Sequence, residues 1–331
     1  MGESRVLNSD ILFIYEASMC NPNGDPDDEN RPRIDRATGI NLVSDVRLKR
    51  FFRNYIVDKF GEEFVWVTKV DGMHVRADER LAKLVNKKKE DLNIADAKEV
   101  PKKCIDARLF GATIPIGGRR EEERGLSVSI TGPVQFTWGF SLHPIELVDS
   151  PSITSTFKGR EEEEEGEVGY GTIGKDWRVY YSLIAFYGVV SSRRSRETGL
   201  RPEDVKILDN LLYKSVNLDA TTRSKIGHWV HLYMRVEYND DETTLGDLRK
   251  FISVNDKNEH VRELDDLELS FNRLIDEFRE YREYIKAVYI YESPEFRSRY
   301  NLSNKLIEAG INVVKLPHNI NIDKDLLVVR S

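Results

Sequence analysis

The apolar positions of this chain fall into two periods. Residues 11–18, ILFIYEAS, are an apolar run rich in Ile, Phe and Tyr that stops at the turn-forming NPNGDP. That combination predicts a buried first strand followed by a loop. Beyond the loop, Leu48, Phe51, Phe52, Tyr55 and Ile56 recur at i, i+3, i+4, i+7 and i+8, the stripe of a helix packed on a core. Ser44 is placed to cap this helix and Asp45 suits the positive end of its dipole. Residues 61–124 are mixed: FVWVTKV reads as a short strand, ADERLAKLVNKKKEDL as a helix, and GATIPIGGRREEERG as a Gly-rich excursion. Residues 126–142 have strand composition broken by Gly132 and Pro133, which predicts a bend between two sheet segments. Residues 149–176 read as a hairpin with a loop-like tip, and residues 177–190, WRVYYSLIAFYGVV, as a strand. Pro202 then stands at the first position of a second core helix, with Glu203 and Asp204 in its first turn and Val205, Leu208, Leu211 and Leu212 on one face. Residues 227–240 read as a strand running into a polar turn, and the remainder as a helical C-terminal segment with a last strand.

Stripped of insertions, the order is strand, helix, two strand regions, helix, strand. This β-α-β-β-α-β pattern places the chain in the α+β class with a ferredoxin-like, or RRM, arrangement. The open sheet of that arrangement is a frequent RNA-binding surface, although fold alone fixes no function.

Composition narrows the classes. At 331 residues and 40% hydrophobic content the chain supports one large elaborated domain or two ordinary ones. No charged-then-apolar leader and no apolar run of about 18 residues is present, so a soluble cytoplasmic protein that makes no membrane contact is expected. Cys20 and Cys104, far apart and without metal-ligand spacing, suggest neither a disulfide framework nor a zinc site. The net charge is -7, but much of it sits in EEE at 121–123 and EEEEEGE at 161–167. Such runs mark solvated loop tips, so the acidic total argues against a nucleic-acid coat without excluding a basic groove.

A basic segment does exist. From Arg31 to Arg53 seven bases (Arg31, Arg33, Arg36, Arg47, Lys49, Arg50 and Arg53) face only Asp35 and Asp45. Guanidinium forks engage phosphate bidentately, and a loop entering a helix N-terminus adds backbone amides. The competing reading is a solvated helix face whose arginines pair with the acids of DPDDEN. Those acids do not make an EF-hand, because Pro26 and Pro32 fall where Gly and Glu are required. A Pro/Gly loop is also a poor platform for a two-metal nuclease, so no metal site and no cofactor is expected. His228 and His231, three apart on a predicted strand, face opposite sides and read as core or edge residues. GYGTIGKDWR offers Lys175 and Arg178 among glycines but lacks nucleotide-loop spacing, and a hinge is an equal reading. SSRRSRE at 191–197 and TTRSKIG at 221–227 add exposed bases.

NPNGDPDDENRPRIDRATG, SDVRLKRFFRNY, SITGPVQF, GTIGKDWRVYYSLIAFYGVV, TGLRPEDV and TTRSKIG, in this order, resemble the CRISPR-associated Cas-seven family, over about residues 10–250. The similarity is greatest to its type I-B, Csh or DevR-like, backbone subunit, with the type I-C subunit a close cousin. The resemblance implies a palm (10–60, 125–148 and 177–240), a finger-like insertion (61–124), a thumb hairpin (149–176) and a C-terminal appendage (241–331). It implies a non-catalytic subunit that polymerises along the spacer of a CRISPR RNA within an antiviral Cascade complex. Its partners would be copies of itself, the Cas-five and Cas-eight type subunits, the Cas-six processing endonuclease and, through the guide, target DNA. On this reading Arg31, Arg33, Arg36, Arg47, Lys49, Arg50, Lys175, Arg178, Arg223 and Lys225 bind phosphate, and Asn23 and Gly24 let backbone amides approach it. A guide must vary in sequence, so only its backbone can be read. A metal-dependent ribonuclease using Asp25, Asp27, Asp28 and Asp35, and an interaction module without nucleic acid, are the alternatives.

Overall fold

The first strand, β1 (Ser9–Cys20), carries a continuous apolar run, Ile11–Tyr15, because both of its faces are covered there. Ile11, Phe13, Tyr15 and Ala17 enter one core and Leu12 and Ile14 another. The computed structural model describes residues 5–116, 126–149, 151–154, 173–219, 222 and 224–329. The glutamate run at 161–167, the 117–125 tip and Arg223 lie outside the described residues. Seven further strands complete the central mixed sheet: β2 (Ile40–Val43), β3 (Val134–Phe136), β4 (Gly139–Pro144), β5 (Val179–Val190), β6 (His228–Tyr238), β7 (Ile285–Glu292) and β8 (Val313–Lys315). Their order is β8-β7-β6-β1-β5-β4-β2, with β3 beside β5. All neighbours are antiparallel except β7 and β8.

Two long helices lie on one face: α1 (Asp45–Phe60) and α2 (Pro202–Asp219). The capping expected from the sequence is present, with the Arg47 amide donating to Ser44 Oγ at 3.3 Å. Leu48, Phe51, Phe52 and Ile56 of α1 and Ile207, Leu208, Leu211 and Leu212 of α2 pack on Phe13, Tyr15 and Tyr233 of the sheet. The opposite face is closed by the C-terminal region: Leu248, Leu274, Phe278, Phe296 and Leu302 pack on Leu12, Leu232 and Met234. The open sheet surface that the sequence pattern allowed is therefore buried here, because the C-terminal segment docks onto it and adds β7 and β8 to its edge. As expected, the two strand histidines part company. His228 lies against Phe51 of α1 at 5.6 Å between ring centres, whereas His231 meets Glu16 at 3.0 Å and Ser293 at 3.1 Å on the other face.

Three sequence expectations change, two within residues 61–131 and one on α1. FVWVTKV is not a strand: the Trp66 and Val67 amides donate to the Asp106 carboxylate at 2.6 and 3.2 Å. A side-chain acceptor takes the place of a ladder partner. The Gly-rich excursion begins as a strand, Gly111–Ile116, paired antiparallel with Leu126–Thr131. The chain leaves this hairpin at Gly132, where a Cβ would stand 2.1 Å from the Phe110 carbonyl carbon, so only glycine fits the crossing. Finally, Lys49 and Arg53 sit on the non-stripe side of α1, yet both are buried. The insertion covers that side: Arg53 Nε donates to Asp106 at 2.8 Å, and Lys49 Nζ to Asp45 and Gln135 at 2.9 and 3.1 Å. Trp66, Leu81, Val100, Cys104 and Ile114 give the insertion its own small core.

Candidate nucleic-acid interface

The sequence-predicted cations come from stretches up to about two hundred residues apart, and most of them meet at the C-terminal end of β1. Arg178 Nη1 donates to the Met19 carbonyl at 2.6 Å, and Lys225 Nζ to the Asn21 carbonyl. The Asn21 amide in turn donates to the Ser224 carbonyl at 2.9 Å, so the turn at Ser224–Gly227 is tied to the end of the first strand. From there residues 21–36 fold back on themselves, pairing Gly24–Asp25 with Arg31–Pro32. Lys175, on the strand Ile173–Lys175, reaches this loop and pairs with Glu29 at 2.6 Å.

Asn23 and Gly24 shape the loop. Asn23 Oδ1 accepts the Ser44 amide at 2.8 Å, which fixes the loop to the start of α1. A side chain at Gly24 would meet the Asn30 carbonyl oxygen at 2.5 Å, so glycine permits a close backbone crossing within the loop. Arg33 then donates to the Gly24 carbonyl at 2.9 Å and pairs with Asp25 at 3.3 Å. The result is an open cleft of about 540 Å³ lined by Arg31, Arg33, Arg36, Asp25 and Asp28, with Leu42 and Ile34 behind them.

Two tryptophans that the sequence reading passed over belong to this region. The Arg31 guanidinium lies 4.9 Å from the centre of Trp177, and that of Arg33 6.0 Å from Trp138. Trp138 is 48% exposed, so its ring is open to a ligand beside Arg33. The only hint in the sequence is that Trp177 stands between Lys175 and Arg178; Trp138 becomes a neighbour of Arg33 only through the pairing of β2 with β4.

Not every predicted cation reaches the cleft. Lys49 is turned inward and its ammonium is spent on Asp45 and Gln135. Arg47 stacks over Phe51 at 4.0 Å, approaches Asp219 at 3.8 Å, and leaves its Nε buried without a hydrogen-bond partner among the described residues. Arg50 points to the insertion and donates to the Val67 carbonyl at 3.2 Å. The expectation that DPDDEN acids pair with nearby arginines is met at Asp25. Asp35 instead closes its own turn, accepting Thr38 Oγ1 at 2.6 Å and the Ala37 amide at 3.1 Å, bonds that lower its pKa. Among the described residues no group of three or more His, Cys, Asp or Glu side chains is placed to hold a metal ion. No helix among them is long and apolar enough to cross a membrane.

Burial, reinforced by the Arg47 charge, brings the Lys225 ammonium down to about 8. A phosphate beside it would restore the higher value, so RNA binding between about pH 8 and 9 is expected to take up a proton. Calorimetric titration in two buffers of different ionisation enthalpy measures that uptake, and K225R should abolish it. Equal heats in both buffers would place the phosphate away from Lys225. In the absence of ligand the sign runs the other way: charging a half-buried lysine costs stability below pH 8, and that cost disappears as pH rises from about 8 toward the unfolded value.

The family profile described as CRISPR-associated protein Cas7 matches residues 7–272. A Haloferax volcanii protein described as CRISPR-associated protein Cas7 is 30% identical over 299 residues, which span 85% of this chain and 86% of the relative. Among solved structures, a chain of a CRISPR RNA-guided surveillance complex aligns over 97% of this chain and 96% of its own length, with 14% identity and a TM-score of 0.48. A chain of such a complex in a pre-nicking state aligns over 97% and 98%, with 13% identity and a TM-score of 0.49. On the extent of the profile match and the identity to the Haloferax protein, the chain belongs to the CRISPR-associated Cas7 family.

Proposed function

We propose that the protein is a non-catalytic, RNA-binding backbone subunit of a CRISPR RNA-guided surveillance complex of the type I, I-B-like, class. The observation that carries this reading is the convergence of Arg31, Arg33, Arg36, Lys175, Arg178 and Lys225 on one end of β1, beside an open cleft, in a protein whose total charge is negative. Basic side chains and an exposed aromatic ring, Trp138, suit a guide whose sequence varies. The helix face of the sheet, with strand order β6-β1-β5-β4 around α1 and α2, serves as a ferredoxin-like palm. Residues 61–124 act as fingers, 149–176 as a thumb and 241–331 as an appendage that closes the second sheet face. The complex would contain copies of this chain along the guide, Cas-five, Cas-eight and Cas-six type partners, and target DNA paired to the guide.

The test is gel filtration of the purified protein with absorbance read at 260 and 280 nm, before and after ribonuclease. A large RNA-rich species that collapses toward monomer on digestion is the expected result. A clean monomer that binds no single-stranded RNA at low salt overturns the proposal. Magnesium-dependent cleavage of bound RNA, abolished by Asp35→Asn, would replace it with the ribonuclease reading.

A further inference from the structure

Asp25 lines the basic cleft and Glu29 stands in the same loop beside it, and acids so placed raise a question that phosphate binding leaves open, since they repel the ligand. Glu29 Oε2 lies 2.6 Å from Lys175 Nζ, and Asp25 Oδ1 lies 3.3 Å from Arg33 Nη2. Both pairs are solvent-accessible: the side chains are 58% and 45% exposed for Glu29 and Lys175, and 33% and 24% for Asp25 and Arg33. The backbone holds these acids in place. The Asp28 and Asn30 amides both donate to the Asp25 carbonyl, at 3.1 and 2.7 Å, and Asn21 Nδ2 donates to the Asn30 carbonyl at 2.7 Å. Glu29 and Asn30 take left-handed φ values of 49° and 59°, a conformation uncommon outside glycine. A turn held this way carries Glu29 across to a strand 146 residues further along the chain.

We infer that Glu29, assisted by Asp25, is a specificity-determining residue: its carboxylate occupies the cation that phosphate must contact, and acts as a tethered competitor for it. An exposed ion pair contributes little net stability, so it opens readily. A strand that places several phosphates in register engages these cations together, bidentately at Arg33 and as a point charge at Lys175, and so displaces carboxylates that each hold one cation alone. An isolated phosphate or a mismatched polyanion meets the tethered acid instead. Specificity of this kind arises by building a repulsive element against wrong ligands as well as an attractive one for the right ligand. The inference rests on the RNA-binding reading and adds the residue that limits it.

The experiment compares E29Q with D27N in the full chain, by fluorescence anisotropy of a mixed-sequence single-stranded RNA at about 50 mM salt, where phosphate contacts dominate. The two variants remove the same charge from the same loop, but the Asp27 carboxylate has no ion-pair partner among the described residues. E29Q is expected to raise affinity about threefold to fivefold, and D27N markedly less. In a K175Q background the advantage of E29Q over D27N should vanish. Equal gains from E29Q and D27N, or an E29Q advantage that persists without Lys175, would overturn the tethered-competitor role and leave only a general field effect. If wild type and every variant fail to bind the RNA, the RNA-binding reading itself falls, and this role falls with it.

Discussion

Replacement of Asp209 by alanine is expected to cost about 3–5 kcal/mol of folding stability, the penalty of stranding a buried charge. Asp209 is fully buried on α2 and accepts four hydrogen bonds: from Tyr233 Oη at 2.6 Å, from Arg235 Nε and Nη2 at 2.8 Å each, and from His318 Nε2 at 2.7 Å. Arg235, only 2% exposed, would keep Glu237 and Ser9 as partners on one nitrogen but lose both bonds of its fork. The change therefore uncouples α2 from β6 and from the C-terminal stretch at once. Urea unfolding measures the effect as a fall in midpoint at unchanged slope, and a loss below about 1 kcal/mol would show that solvent reaches the pair. The same carboxylate predicts a pH window. Despite burial, which opposes ionisation, the Arg235 charge and these hydrogen bonds bring Asp209 down to about 2. Its contribution to stability is fully present above the unfolded value near 3.8 and is lost as pH falls through about 2.

Charge reversal of Arg31, Arg33 and Arg36 together is expected to weaken single-stranded RNA binding by about two orders of magnitude at low salt. It should also lower the slope of log affinity against log salt by about 2, at roughly 0.7 per phosphate contact. These residues are chosen because they line the cleft and no hydrophobic core depends on them. Arg47, the more obvious target from sequence, is a poor choice: it is packed over Phe51 beside Asp219, and reversing it would damage α1 before it tested binding. An unchanged thermal midpoint in the triple variant separates the site from the fold. An unchanged salt slope would show that the guide does not run through this cleft. Lys49→Gln supplies the contrast, since its ammonium is enclosed by Asp45 and Gln135: it should lower stability and leave the slope alone.

How much of this could be read from the chain depends on the range of the interaction involved. The strands at 9–20, 179–190 and 228–238, the helices starting at Asp45 and Pro202, and the Gly132–Pro133 bend were all legible, because period, caps and breakers act over a few residues. The concentration of bases between Arg31 and Arg53 was equally plain. Which of them face solvent was not. A helical stripe identifies the side packed on the sheet, but nothing local announces that residues 61–110 cover the other side and bury Lys49 and Arg53. The same holds for FVWVTKV, whose strand composition gives way to Asp106, about 40 positions away, as acceptor for two of its amides.

The sequence by itself determined a mixed α/β chain with its long elements in the order strand, helix, two strand regions, helix, strand, a net charge of -7 and one concentrated basic segment, since these follow from composition and short-range periodicity. Tertiary structure alone decided three things: that the C-terminal segment closes the second face of the sheet, that Lys175, Arg178 and Lys225 join the Arg31–Arg36 loop at the end of β1, and that Glu29 meets Lys175. Each is a contact between segments distant in the chain, set by burial of apolar surface and by charge pairing in three dimensions, and neither leaves a periodic trace in the sequence.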